Sequence, residues 1–271
     1  GVTQGQFDPI ISDAATQVDV FSQEFRLTST GDGPLQWVGG LYYLQEETVR
    51  NEEVTFGVFV SNGAGGTFGV VPQGRGGNLQ DNTTTSYAVF GQASYSFSDQ
   101  LKLTLGGRQT WEDKKLHVVG TPTPLSRFRD FDLNLEDDWS SFTPKATLDY
   151  QINDDAFMYL SYSEGFKSGG FPGGGNNATI ASTGFDPEQA ELLELGFKTE
   201  WFDSHLRLNG AIFKTDYKDL QILQLLVPVG AAPESPGNLI TQNAANADIE
   251  GFELEFTWLP IDNLTIAGSY T

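Results

Sequence analysis

Apolar and polar residues alternate with a period of two along much of the chain. The segment LKLTLGGRQTWE places Leu103, Leu105 and Trp111 on one face, and Lys102 and Glu112 on the other. The preceding segment, TSYAVFGQASYSF, alternates in the same way, and a short connector separates the two. Because successive side chains of a β-strand point to opposite faces, the pattern predicts two strands joined in a hairpin.

The same unit recurs and predicts about ten strands in five hairpins. Short connectors are predicted at 30–34, 98–100, 153–155, 202–205 and 260–263. Long connectors, rich in Gly, Asn, Asp and Pro, are predicted at 50–82, 114–138, 167–187 and 218–246. Short turns at one end of a sheet and long loops at the other are typical of an outer-membrane barrel.

The two faces of the predicted strands differ in chemistry. In ELLELGFKTEW, Leu193, Leu195 and Phe197 oppose Glu194 and Lys198. A face with such charges does not suit a dry core, whereas it suits a watery lumen behind a lipid-facing apolar surface. The expected fold class is therefore all-β, an antiparallel transmembrane β-barrel. Aromatic girdles near the strand ends are expected to contain four tryptophans: Trp111, Trp139, Trp201 and Trp258.

Composition excludes several classes of protein. The chain has 15 Lys and Arg against 36 Asp and Glu, a formal net charge of −21, so nucleic acid is not expected as a partner. The absence of cysteine excludes disulfides, thiolate zinc sites and cysteine nucleophiles. No apolar run approaches the roughly 20 residues of a membrane helix. The chain opens without Met and without a secretory signal, which predicts a mature or excised piece.

Catalytic and metal-binding patterns are also missing from the sequence. The two histidines, His117 and His205, lie far apart, and neither G-x-S-x-G nor H-E-x-x-H occurs. We therefore expect no enzyme activity, no catalytic residue, no metal site and no cofactor. The stretch GFKSGGFPGGG lacks the order of a phosphate-binding loop, because Lys167 follows Phe166 rather than Gly. Its glycines are expected to permit bends where a strand enters a long loop.

Several strand motifs occur in an order that resembles a known family. The runs PKATLDY, GFKSGGF, ELGFK and DIEGFELE resemble successive strands of the barrel of TonB-dependent outer-membrane receptors. The earlier runs QEFRLTS, LQWVGGLYY and LKLTLGGR resemble preceding hairpins of the same barrel. The resemblance covers almost the whole chain.

The resemblance implies a barrel of about 22 strands around a plugged lumen, of which this chain supplies about ten. Residues 1–271 are accordingly expected to be an internal piece of the barrel domain, without the plug domain and the C-terminal strands. The implied function is active uptake of a bulky nutrient across the outer membrane of a Gram-negative bacterium. A ferric siderophore is favoured as the ligand, with cobalamin and oligosaccharides left open. The implied partners are outer-membrane lipid, the ligand and, through the plug domain, the TonB protein complex.

Two groups of residues are candidates for ligand capture. The stretch LSRFRDF brings together the first group, which could receive an anionic aromatic chelate: Arg127, Phe128, Arg129 and Phe131. The alternative for these arginines is salt bridging with Asp130 and Asp132. The second group lies around the glycine-rich stretch: Phe166, Lys167 and Phe171.

Two rival functions remain open at this point. One is a passive porin, which would lack a plug and conduct solutes by diffusion. The other is a soluble carbohydrate-binding β-sandwich, whose apolar face would pack on a second sheet.

Overall fold

A computed structural model describes residues 10–60, 69–122, 129–226 and 238–271. These residues form ten strands and one short helix: β1 (Ile10–Thr28), β2 (Leu35–Val60), β3 (Gly69–Ser96), β4 (Leu101–Pro122), β5 (Phe131–Asn153), β6 (Ala156–Lys167), α1 (Ala178–Ala181), β7 (Glu188–Trp201), β8 (Leu206–Leu226), β9 (Asn238–Ile261) and β10 (Leu264–Tyr270). None of the helical residues in the described ranges belongs to a helix long and apolar enough to cross a membrane.

The ten strands form one sheet in sequence order, from β1 to β10. Every neighbouring pair is antiparallel, and each strand from β2 to β9 is hydrogen-bonded to the strand before it and the strand after it. The predicted all-β antiparallel architecture is confirmed. The five short connectors are confirmed as well, because each coincides with a gap of a few residues between paired strands.

Three of the four predicted long connectors are wrong over much of their length. Strand β2 continues to Val60 and β3 begins at Gly69, although 50–82 was expected to be loop. The ranges 114–138 and 218–246 are likewise occupied in large part by strands, and only 167–187 is mostly loop. The cause is that these extensions contain runs without apolar alternation, such as RNEE in β2 and the Gly- and Pro-rich run GVVPQGRGG in β3, although backbone pairing continues.

The sheet has two chemically distinct faces. We call one the apolar face, because its large side chains are apolar and exposed; examples are Leu105 and Phe252, which are 53% and 52% exposed. The opposite face, here the polar face, carries residues such as Arg108, Glu194 and Glu253. Residues that pair across neighbouring strands point to the same face. Gly106 and Arg108 of β4 pair with Lys145 and Thr143 of β5, and all four lie on the polar face.

The register corrects the expected positions of two tryptophans. Trp139 pairs with Glu112 and lies on the polar face, so its assignment to an aromatic girdle is wrong. Trp111 does lie on the apolar face opposite Tyr87, but in the middle of β4 rather than near its end. Trp201 ends β7 and Trp258 lies close to the end of β9, as expected.

The turn between β7 and β8 contains an unusual backbone. Phe202, Asp203 and Ser204 have φ values of 58°, 52° and 64°, all in the left-handed region that residues other than Gly, Asn and Asp rarely adopt. Within the turn, the His205 N–H donates to the Phe202 carbonyl at 3.1 Å. The Ser204 hydroxyl donates to the Glu200 carboxylate at 2.5 Å. These hydrogen bonds hold the turn in a conformation that a glycine would adopt at lower cost.

We expect Asp203→Gly to raise the free energy of unfolding by about 0.5–1 kcal/mol, because glycine adopts a positive φ without steric cost. The measurement is thermal or denaturant unfolding of the complete protein in detergent. Asp99→Gly is the matched control, since Asp99 lies in the β3–β4 turn without a positive φ. Equal effects of the two variants would contradict the explanation.

Candidate functional site

The loop between β6 and β7, residues 168–187, folds back over the polar face of the sheet. We call this segment the glycine loop. At its start, the Lys114 ammonium donates to the Gly169 carbonyl at 2.9 Å. The Ser168 hydroxyl donates to Glu112, which also forms an ion pair with Lys114 at 3.2 Å. Glu112 and Lys114 are alternate residues of β4 and therefore share the polar face, where they hold the loop against the wall.

The misassigned Trp139 forms part of this contact. The Lys114 ammonium lies 5.7 Å from the centre of its ring, and Phe171 meets the ring edge-on with centroids 6.5 Å apart. A Cβ at Gly169 would lie only 2.6 Å from the indole. The first glycine of the pair at 169–170 is thus required by the close approach of the loop backbone to Trp139, in addition to any bend that it permits.

The end of the loop is attached to β8 and β9. Gly170 and Phe185 exchange backbone hydrogen bonds of 3.0 and 2.9 Å, which close the loop at its base. The amide nitrogens of Gln221 and Asn243 donate to the Asp186 carbonyl at 3.0 and 2.8 Å. The glycine loop therefore bridges the polar face from β4 and β5 to β8 and β9.

A small apolar cluster fixes the middle of the loop. Helix α1 begins after Asn177, whose side-chain oxygen accepts a hydrogen bond from the Ile180 N–H at 3.0 Å. Ala181 is fully buried against β4 and β5, where the wall contributes three buried side chains: Leu116, Val118 and Phe131. The loop is therefore a packed layer on the wall.

The predicted ligand-capture residues do not form one surface in the described part of the chain. Arg127 and Phe128 lie outside the described residues. Arg129 is exposed, and its N–H donates to the Asn176 carbonyl at 2.9 Å. Phe131 is only 8% exposed because it packs in the apolar cluster. Asp132, considered above as a partner for the arginines, pairs with His117 at 2.9 Å.

The second predicted group is divided in the same way. Phe166 is half-buried near the end of β6 and shares the apolar face with Leu160 and Tyr162, whereas Lys167 is exposed on the polar face. Phe171 is half-buried between Trp139 and the apolar cluster. The two groups remain predictions as ligand-binding residues, with Phe131 and Phe171 the least accessible among the described members.

Sequence reasoning missed an aromatic and cationic group on the polar face. The Arg108 guanidinium lies 5.0 Å from the ring centre of Tyr42 and 5.9 Å from that of Phe90. Its Nε donates to the Thr110 hydroxyl at 3.1 Å. Arg108 has no ion-pair partner within the described ranges. Its guanidinium is therefore available to an anionic group that approaches the polar face. The alternation of β4 placed Arg108 on this face, but no signal in the sequence gave the register that brings Tyr42 and Phe90 beside it.

Metal binding finds no support in this geometry. Within the described ranges, no group of three or more His, Asp or Glu residues is placed so that it could hold a metal ion. The polar face is instead an array of ion pairs and single charges suited to contacts with a polar or charged occupant.

Comparison with known proteins places this sheet in a family. The model for "TonB dependent receptor-like, beta-barrel" matches residues 3–271. The ferric-pyoverdine M114 receptor PbuA of Pseudomonas sp. is 28% identical over 204 residues, which cover 73% of this chain and 22% of the relative. The probable TonB-dependent siderophore receptor PiuA of Acinetobacter baumannii is 27% identical over 133 residues, or 48% and 16% of the two chains. The chain thus spans about a fifth of the length of these curated relatives.

Solved structures of similar fold agree with this assignment. The ferric yersiniabactin uptake receptor FyuA of Yersinia pestis superimposes with a TM-score of 0.70 at 19% identity, over 96% of this chain and 36% of the receptor. The copper transporter OprC superimposes with a TM-score of 0.62 at 15% identity, over 94% and 38%. At these identities the likeness shows the fold alone.

The family and the fold decide one of the two rival functions and one expectation from the sequence. The described strands form one sheet and match receptor barrels, so the soluble β-sandwich is wrong. Members of the family are receptors and transporters rather than enzymes, which confirms the expectation that the protein is not an enzyme. Because the family model spans nearly the whole sequence and the fold agrees, the chain belongs to the TonB-dependent receptor β-barrel family.

Proposed function

We propose that this chain forms part of the wall of an outer-membrane receptor in a Gram-negative bacterium. Its function there is the TonB-energised uptake of a bulky nutrient, with a ferric siderophore as the favoured ligand. The observation that carries the proposal is the division of one antiparallel sheet into an exposed apolar face and a charged polar face, in a chain that belongs to this family. The apolar face would contact lipid and the polar face would line the lumen.

The choice of ligand is supported by the curated relatives. Their names describe receptors for ferric-pyoverdine, for metal-pseudopaline and for siderophores. A metal chelate with several anionic and aromatic groups suits cations and aromatic rings on the polar face and in the loops. Arg108 with its two rings, and Arg129 on the exposed approach to β5, are suitable contacts for such a ligand.

The barrel wall has a passive role in the proposed mechanism. It supplies a surface matched to lipid, a polar lumen and loops for capture, while a plug domain and the TonB complex would supply the work of import. A passive porin is the rival, and a steady conductance of the complete protein in a planar bilayer would favour it. Family membership supports the receptor.

We further propose that the glycine loop is a fixed part of the lumen wall rather than a moving capture arm. Both of its ends and its middle are attached to strands, through Lys114, through Asn243 and through the buried Ala181. A segment with this many contacts opens only at a substantial free-energy cost.

The first prediction from the proposed function concerns lipid contact. Leu254→Arg, on the apolar face, is expected to destabilise the inserted protein by about 2–4 kcal/mol, because it places a charge in the hydrocarbon region. Glu255→Arg is the matched control, since Glu255 is the next residue of β9 and lies on the polar face. The measurement is the folded fraction after refolding into phospholipid vesicles. Equal destabilisation by both variants would contradict the assignment of the faces.

The second prediction concerns ligand capture. Removing both Arg127 and Arg129 by substitution with Ala is expected to weaken ferric-siderophore binding by about tenfold or more, because charge-assisted hydrogen bonds contribute roughly 1.5–3 kcal/mol each. Binding is measured with the complete receptor by fluorescence quenching. Arg207→Ala serves as control, as Arg207 pairs with Glu200 beside a short turn. Unchanged affinity in the double variant would remove these arginines from the site.

The third prediction concerns the glycine loop. Lys114→Met is expected to increase hydrogen exchange of residues 169–187 by roughly tenfold, because it removes a hydrogen bond and an ion pair at the start of the loop. Lys115→Met is the control, since Lys115 lies next to Lys114 but on the opposite face. If exchange in the loop were already fast in the unchanged protein, the loop would not be a fixed layer.

A further inference from the structure

A groove of about 290 Å³ lies on the apolar-face side of the extended strands β3, β4 and β5. It is not part of the lumen-facing site, because it is on the opposite side of the wall from Glu112, Lys114 and the glycine loop. Eight residues line it, Leu116 and Leu135 among them, and the other six have polar side chains: Asp81, Thr83, Lys115, His117, Asn134 and Glu136.

The position of the groove along the strands limits what can occupy it. The cross-strand pair of Tyr87 and Trp111 lies on the same face, and both side chains are about half exposed at 53% and 47%. Aromatic residues of this kind mark the border between hydrocarbon and headgroups. Lys115 follows Trp111 by four residues, or roughly 13 Å along a strand. If the proposed membrane location holds, on which this inference rests, the groove faces the headgroup layer of the outer leaflet.

A cross-strand ion pair and a cross-strand hydrogen bond hold the lining side chains in place. The Lys115 ammonium lies 3.0 Å from the Glu136 carboxylate, and His117 Nε2 lies 2.9 Å from Asp132. Lys115 and Glu136 are also direct cross-strand neighbours of β4 and β5. Hydrogen-bond donors and acceptors are therefore interspersed across the groove.

The wall behind the groove is the best packed part of the described sheet. Leu116, between Lys115 and His117, points to the other side, where it is buried with Val118, Phe131 and Ala181 under the glycine loop. A groove on a packed backing keeps its shape without a ligand, which lowers the cost of binding.

We propose that this groove binds the saccharide headgroup of an outer-leaflet glycolipid. A sugar hydroxyl both donates and accepts hydrogen bonds, and the lining offers Asn134 and Thr83 in both roles beside charged donors and acceptors. The charges disfavour a phosphate as the main contact, because the lining carries two carboxylates, Asp81 and Glu136, beside one lysine, Lys115. The groove also faces away from the lumen, so the imported nutrient does not reach it.

The test compares two pairs of substitutions that each remove one cation and one anion. The groove variant carries Lys115→Ala with Glu136→Ala. The control carries Lys218→Ala with Glu191→Ala, an exposed ion pair on the same face of β7 and β8 and outside the groove. Each complete receptor is placed in phospholipid nanodiscs with a known amount of core-truncated lipopolysaccharide or of its enzymatically dephosphorylated form. Retained glycolipid is counted by native mass spectrometry.

We expect the groove variant to retain about fivefold less of both glycolipids, while the control retains as much as the unchanged receptor. Equal retention by the groove variant and the unchanged receptor would overturn the inference. So would loss of binding on dephosphorylation, because phosphate would then be the recognised group. Failure of the unchanged receptor to enter the bilayer would overturn the proposed function together with this inference. Normal insertion and siderophore binding with no effect of the groove variant would overturn the inference alone.

Discussion

The hydrogen-bonded ladder between neighbouring strands is the constraint on which the rest of this structure depends. Each strand from β2 to β9 pairs with the strand before it and the strand after it, so most backbone polar groups there are satisfied by other backbone groups. Side chains are then free to take opposite character on the two faces. A leucine and a glutamate can be adjacent in sequence, as Leu254 and Glu255 are, and yet meet different surroundings.

The same ladder explains how distant residues come to hold the glycine loop. Glu112 and Lys114 are placed by β4, and Trp139 is placed by β5 directly opposite Glu112. The loop that they contact begins more than fifty positions later in the chain, since 55 residues separate Lys114 from Gly169. The register of β4 and β5 therefore brings together the side chains that contact the loop, although they are distant from it in the sequence. Glycine at position 169 then allows the backbone to lie against the indole.

The sequence predicts those parts of the fold that depend on apolar alternation, but not those that depend on the register between strands. The short turns were predictable, because the apolar alternation stops and restarts on either side of each one. The far ends of β2 and β3 were not, since the charged run RNEE in β2 and the Gly- and Pro-rich run GVVPQGRGG in β3 do not alternate, even though the backbone is still paired. Trp139 was misplaced because its position was judged from its distance to an assumed strand end, whereas its face is fixed by its pairing with Glu112, which the sequence does not reveal. The burial of Phe131 was not predictable either. It depends on contact with Ala181, which is fifty residues away in the sequence.

A single sheet is a shell only one strand layer thick, and such a shell bends easily about the strand direction. Where the glycine loop and α1 lie against β4 and β5, the shell gains a second layer with its own buried cluster. The loop also connects to β8 and β9 through Gln221 and Asn243, so it braces the sheet across several strands. Bending stiffness rises steeply with thickness, and this flank of the wall therefore resists deformation while strands such as β1 and β10 can follow changes in their surroundings.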